Sequence, residues 1–171
     1  MKLDMGRSEQ GISSDKYQVI PRVLIFVYND QGEVLLIKGA STKQIWAEKY
    51  NGVGGHVERG EDILFAAKRE LKEETGLESS SMFLCGQVMV DATVTTGITL
   101  FIFKAKYEGG ALIPSAEGEL EWVKPESFGE LPLVEDLHTI IPKVSSMQMG
   151  DQPFFAKYAY TEDDQLVISF V

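Results

Sequence analysis

Residues 55–77 read GHVERGEDILFAAKRELKEETGL. Between Asp62 and Thr75 there is neither Pro nor Gly, and helix formers dominate, so the stretch predicts a helix. Gly76 stands where a left-handed C-cap is wanted. At about 100° per residue, Leu64, Ala67 and Leu71 share one stripe, the predicted buried face. Glu70, Glu73 and Glu74, at i, i+3 and i+4, crowd one arc beside it. Carboxylates packed in this way repel one another and raise each other's pKa values. A hard divalent cation relieves that repulsion, and carboxylate oxygens suit Mg²⁺. Arg69 can pair with Glu61 or Glu73 and fix the orientation of the acids.

A solvated acidic helix face is the plainer explanation of three glutamates, and the glycines upstream weigh against it. Asn51-Gly52-Val53-Gly54-Gly55 predicts a flexible turn just before the helix, where backbone can approach a metal or phosphate closely. It is not a dinucleotide fingerprint, because the third glycine of G-x-G-x-x-G would fall on Val57.

The spacing is also specific as a whole. Gly55, Glu61, Arg69, Glu70, Leu71, Glu73, Glu74, Gly76 and Leu77 fill every defined position of G-x5-E-x7-R-E-U-x-E-E-x-G-U, where U is a bulky aliphatic residue. On these residues the chain resembles the Nudix hydrolases. The resemblance implies an α/β fold, an α/β/α sandwich around a mixed sheet, and hydrolysis of a nucleoside diphosphate linked to another group. It implies Glu73 and Glu74 as principal metal ligands, assisted by the Gly55 region and Glu117. Glu70 is either a ligand or the base that takes a proton from the attacking water. Mg²⁺ is the implied cofactor, with Mn²⁺ as the alternative.

Outside this box, roughly over residues 18–171, the chain is similar to the subgroup that hydrolyses oxidised purine nucleoside triphosphates. Lys49-Tyr50-Asn51-Gly52-Val53-Gly54-Gly55 resembles its base-reading segment, which implies Asn51 as a base contact. Glu117-Gly118-Glu119-Leu120-Glu121-Trp122-Val123 resembles its acidic segment, and Glu135-Asp136 falls where that subgroup sets acids against the purine. Phe154-Phe155-Ala156-Lys157-Tyr158 resembles its closing strand. His56 stands where the subgroup commonly has Lys, which puts a phosphate contact there in doubt; Lys38 and Lys43 are the candidate replacement cations. The implied activity is cleavage of 8-oxo-dGTP or a related nucleotide to the monophosphate and pyrophosphate. An ADP-ribose or nucleotide-sugar pyrophosphatase, and a Nudix-fold nucleotide sensor without turnover, are the alternatives.

The rest of the chain sets bounds. A 171-residue chain can bury a real core, and 44% hydrophobic with 25% charged residues is ordinary for a globular protein. A net charge of −10 argues against a nucleic-acid backbone as partner, but not against a free nucleotide whose phosphates a cation neutralises. No apolar run approaches a membrane span, and the polar start lacks the apolar centre of a secretory signal, so cytoplasmic residence is expected. Cys85, the one cysteine, lies in an apolar run and is expected to be a buried structural thiol. Residues 1–16 are expected to be a flexible segment and 17–171 one domain, with the oligomeric state left open. Strands are predicted at 19–28, 33–37, 82–90, 98–107, 119–123, 154–160 and 165–171. A second helix is predicted at 133–144, its end limited by Pro142.

Overall fold

A computed structural model describes residues 6–171. The first five residues of the expected flexible segment lie outside the described residues; Arg7–Gln10 form a single 3-10 turn. The strands are β1 (Gln18–Tyr28), β2 (Val34–Gly39), β3 (Tyr50–Asn51), β4 (Val53–His56), β5 (Phe83–Val90), β6 (Thr96–Lys106), β7 (Gly118–Val123), β8 (Phe154–Tyr160) and β9 (Leu166–Phe170). Two helices, α1 (Ile63–Thr75) and α2 (Leu137–Ser146), complete the regular structure. Among the described residues no helix is long and apolar enough to cross a membrane.

All strands join one mixed sheet, ordered β3-β2-β1-β6-β5-β8-β9, with β4 also paired to β1 and β7 to β2. Its spine is the parallel pair β1–β6, in unbroken register from Gln18↔Thr96 to Tyr28↔Lys106. β1 divides its other edge between two partners. Arg22–Ile25 pair with β4, and Val27–Tyr28 pair with β2.

A central strand covered on both faces should read as a continuous apolar run, and Val23 to Val27 do. Val23, Ile25 and Val27 join Ala66, Ala67 and Leu71 of α1 in one core. Leu24 and Phe26 join Leu137, Ile140, Ile141 and Val144 of α2 in the other. The sheet is therefore the middle layer between two helices, the α/β/α sandwich expected.

Three local expectations are corrected. The predicted glycine turn is instead two short strands in succession, β3 paired with β2 and β4 paired with β1. Glycine allows it: a side chain at Gly54 would run into the backbone carbonyl of Val23 across the β1–β4 pair. Second, the buried stripe of α1 is Ala66, Ala67, Leu71, Glu74 and Thr75, whereas Leu64 is 39% exposed near the helix start. Third, α2 begins at Leu137 rather than 133, because the preceding backbone is already engaged with β3. Tyr50 N–H donates to the Pro132 carbonyl at 3.0 Å, and Val134 N–H donates to the Tyr50 carbonyl at 2.9 Å. Nor does Pro142 end α2, which continues to Ser146. The proline and His138, whose carbonyl loses its partner, both lie on the exposed side, where water can serve instead.

Candidate active site

The site starts at the entry to α1. Asp62 caps it, its carboxylate accepting from the Leu64 and Phe65 N–H groups at 2.9 Å each. That cap fixes the helix start and brings the preceding Glu61 back over Arg69. Arg69 uses its whole donor fork. Nε and one terminal nitrogen donate to the two oxygens of Glu61, at 2.6 and 3.0 Å. The same terminal nitrogen also reaches the His56 carbonyl at 2.9 Å. The other donates to Glu70 Oε1 at 2.8 Å and to Glu73 Oε2 at 3.1 Å. A lysine ammonium could not span these acceptors, which explains arginine here. The bond from Arg69 holds the Glu61 carboxyl below its ordinary range, helped by the Glu58 N–H. Bonding to Glu61 raises Arg69 in turn.

The three glutamates of the helix do not share one fate. Glu73 is 60% exposed and turns outward along Arg69. Glu74 is buried, accepting from the Gly54 N–H at 3.0 Å. Its carboxyl is pushed up to about 7, chiefly by burial, with the charges of Glu70 and Glu117 adding to the shift. Glu70 lies against Gly55, where any Cβ would collide with its carboxylate. The predicted arc of Glu70, Glu73 and Glu74 is thus divided. Glu70 and Glu73 share one terminal nitrogen of Arg69, while the acidic neighbours of Glu74 are Glu70 and Glu117, from the loop before β7. Among the described residues, no three His, Cys, Asp or Glu side chains stand as a ready-made ligand group. The donor chemistry nevertheless fits a hard cation. Glu70, Glu74 and Glu117 line one cavity together with Gly55, and among the described residues no lysine or arginine pairs with the buried Glu74. Glu117 is paired with Lys43 at 2.5 Å.

The cavity measures about 640 Å³, within the range of small-molecule sites. The acids just described line one part of its wall. Asn51, Glu135, Asp136 and Tyr158 line another, with apolar surface from Leu24, Leu100 and Val134. Asn51 Oδ1 accepts from the Gly52 N–H at 2.8 Å. Asp136 precedes α2 but makes no capping bond; its carboxylate accepts from the Tyr158 hydroxyl at 3.1 Å. Burial raises the Asp136 carboxyl, and the Tyr158 bond opposes the shift. Glu135 is exposed at the rim. Lys38 does not line this cavity; it pairs with Glu48 at 3.1 Å.

A NUDIX domain model matches residues 19–144. The chain belongs to the Nudix family. It is 36% identical over 92 residues to an oxidized purine nucleoside triphosphate hydrolase of Danio rerio, covering 53% of this chain and 58% of that relative. It is 33% identical over 100 residues to the Mus musculus protein of the same description, covering 58% of this chain and 62% of that one. The matched region thus spans less than two thirds of either relative. Among solved structures, a mutator MutT protein from Bacillus halodurans superposes with a TM-score of 0.74 at 27% identity, covering 89% of this chain and 97% of that one.

The Nudix motif makes α1 legible in the sequence, but it names nothing on the opposite wall. Arg22, Trp46, Tyr158 and Tyr160 all line the cavity and were not singled out from the sequence as site residues. Arg22 carried a signal, as a charge at the head of an apolar run. Tyr158 carried none, because a buried tyrosine on an alternating strand reads as core. Trp122, near the end of the acidic segment 117–123, packs edge-on against Tyr107, ring centroids 5.1 Å apart, beside the α1 core.

Proposed function

We propose that the protein is a divalent-cation-dependent nucleoside triphosphate pyrophosphohydrolase acting on 8-oxo-dGTP or a related oxidised purine nucleotide. The observation that carries this reading is one cavity with two chemistries: the carboxylates of Glu70, Glu74 and Glu117 beside Gly55, and a second wall with Asn51 and Asp136. The named relatives support the same substrate class.

Glu74 and Glu117, assisted by the Gly55 region, would hold the cation, Mg²⁺ or Mn²⁺, with Glu73 bearing on it through Arg69. When bound, it supplies positive charge against the phosphates and acidifies bound water. Arg69 keeps Glu70 Oε1 occupied and leaves Oε2 to accept a proton from the attacking water. The water oxygen bonds to one phosphorus of the α–β anhydride, and the bond from that phosphorus to the bridging oxygen breaks. Nucleoside monophosphate and pyrophosphate leave. At the other end, Asn51 offers an amide donor and acceptor to the base. A protonated Asp136 offers a donor, which its raised pKa favours.

A panel of oxidised and ordinary nucleoside triphosphates, ADP-ribose and nucleotide sugars, assayed for products with Mg²⁺, Mn²⁺ or chelator, tests the reading. The expected result is preferential, cation-dependent release of pyrophosphate from the oxidised purine nucleotide. Preferential cleavage of ADP-ribose would replace the substrate assignment, and tight nucleotide binding without any product would make the protein a sensor.

A further inference from the structure

A nucleoside triphosphate entering this cavity meets a wall of its own charge. Glu58, Glu70, Glu74, Glu117, Glu135 and Asp136 all line it. The lysines and arginine that the sequence offers for compensation are already engaged: Lys38 with Glu48, Lys43 with Glu117, and Arg69 with three glutamates. Arg22 and Lys49 are the only arginine or lysine on the wall, and among the described residues no carboxylate lies within ion-pair distance of either. Lys49 is exposed. Arg22 is half-buried and positioned.

Its position comes from the β1–β4 pairing. Arg22 lies directly across from His56, and Val23 across from Gly55, which abuts Glu70. Arg22 Nε donates to His56 Nε2 at 3.2 Å, so the ring proton of His56 sits on Nδ1. The backbone of His56 is fixed from the other side, its carbonyl accepting from Arg69 at 2.9 Å. His56 thereby joins the helix that carries the acids to the strand that carries Arg22. Only Nε of Arg22 is spent on this bond, which leaves both terminal nitrogens for a ligand.

We infer that Arg22 grips the polyphosphate of the substrate, supplying from β1 the cation that His56 does not supply from β4, and that His56 is its positioning residue. The inference rests on the cavity being a nucleoside triphosphate site. A guanidinium offers two parallel donors to phosphate oxygens and keeps its charge at every working pH.

The test uses inorganic tripolyphosphate, which carries no base, and calorimetric titration of the full chain at fixed Mg²⁺. Arg22→Gln is expected to weaken tripolyphosphate binding by about tenfold or more, the usual scale for a charge-assisted bond. Arg22→Lys should recover part of that loss. His56→Gln, which keeps an acceptor, should bind more tightly than His56→Ala. In turnover of 8-oxo-dGTP the Arg22→Gln loss should appear in KM more than in kcat. The inference is overturned if Arg22→Gln, folded with wild-type Tm, binds tripolyphosphate as well as wild type, or if wild type binds none. Should Arg22-dependent binding be found in a protein that hydrolyses no oxidised purine, the phosphate role stands and the substrate assignment falls. Turnover of oxidised purine that is indifferent to Arg22 sinks this inference alone.

Discussion

Glu74 concentrates the electrostatic tension of the site in one side chain. A buried carboxyl with acidic neighbours and a single backbone donor prefers to be neutral, and its pKa stands at about 7. The unfolded chain ionises the same group near 4.3. A carboxyl whose folded pKa is raised costs nothing below the unfolded pKa. It costs progressively more as pH rises between the two values, and its full amount above the folded one. That amount is on the order of 3 kcal/mol from the two pKa values. Metal-free protein should therefore lose stability between pH 5 and pH 8, and Glu74→Gln should flatten the slope while nearly abolishing turnover. Denaturant titrations at the two pH values check this; equal slopes for variant and wild type would remove Glu74 as the cause. At the other end, Asn51→Ala and Asp136→Ala should reduce kcat/KM for oxidised purine triphosphates by about 1–3 kcal/mol for each buried bond lost. Pyrimidine triphosphates should be affected far less, because only a matched base leaves those groups unpaired when a partner is removed. Equal losses for all bases would make both residues supports of the fold.

Strand β4 shows how two adjacent glycines can serve different ends. At Gly54 a side chain would strike the Val23 carbonyl, part of the β1 backbone, which cannot yield without breaking the strand pair. At Gly55 it would strike only the Glu70 carboxylate, the far end of a flexible side chain. Gly54→Ala should accordingly lower Tm markedly. Gly55→Ala should leave Tm within a few degrees of wild type yet lose most turnover, as Glu70 is pushed off station. Thermal unfolding and a product assay on both variants decide it, and the reverse pattern would refute the division. The same strand marks the boundary of what could be read from sequence. β1, β5 and β6 are long apolar runs, and their predicted ends lie within two residues of the observed ones. The end of α1 is legible because Gly76 adopts the left-handed cap, with φ 75°. β3 has only two residues and β4 four, two of them glycine, too short for alternation to show, and they exist because β1 and β2 accept them as partners. Residues 133–136 look helical by composition, but the Val134 N–H bonds to Tyr50 of β3 and Leu133 bridges to the same residue, a tertiary fact that local pattern does not contain. The site divides in the same way. Its acidic side rests on local spacing within α1, whereas Arg22, Asp136 and Tyr158 meet across more than a hundred residues of chain.

Across the whole molecule, β1 alternates its side chains between the two cores, so each core lends order to the other. Val23, Ile25 and Val27 are held by the α1 side, and Leu24 and Phe26 by the α2 side. The cavity depends on both, since α1 presents Glu70 and Glu74 while the segment entering α2 presents Asp136. A layer that came apart alone would separate the base end from the phosphate end. Ile140 is fully buried on the α2 side and Leu71 is 1% exposed on the α1 side. Replacing either by alanine should cost about 2–5 kcal/mol through lost contacts and the cavity left behind. If β1 couples the layers, each variant unfolds in one transition, with the same midpoint by far-ultraviolet circular dichroism and by tryptophan fluorescence. With Trp46 replaced by phenylalanine, Trp122 makes the comparison informative, because it packs beside the α1 core and reports that side even when the damage is at Ile140. Coincident midpoints, shifted together by either substitution, are the expected outcome. An Ile140→Ala protein whose circular dichroism falls before its tryptophan signal moves would show that the α2 layer melts on its own. β1 would then be only a shared wall, and the two ends of the cavity would owe their alignment to the ligand instead of the fold.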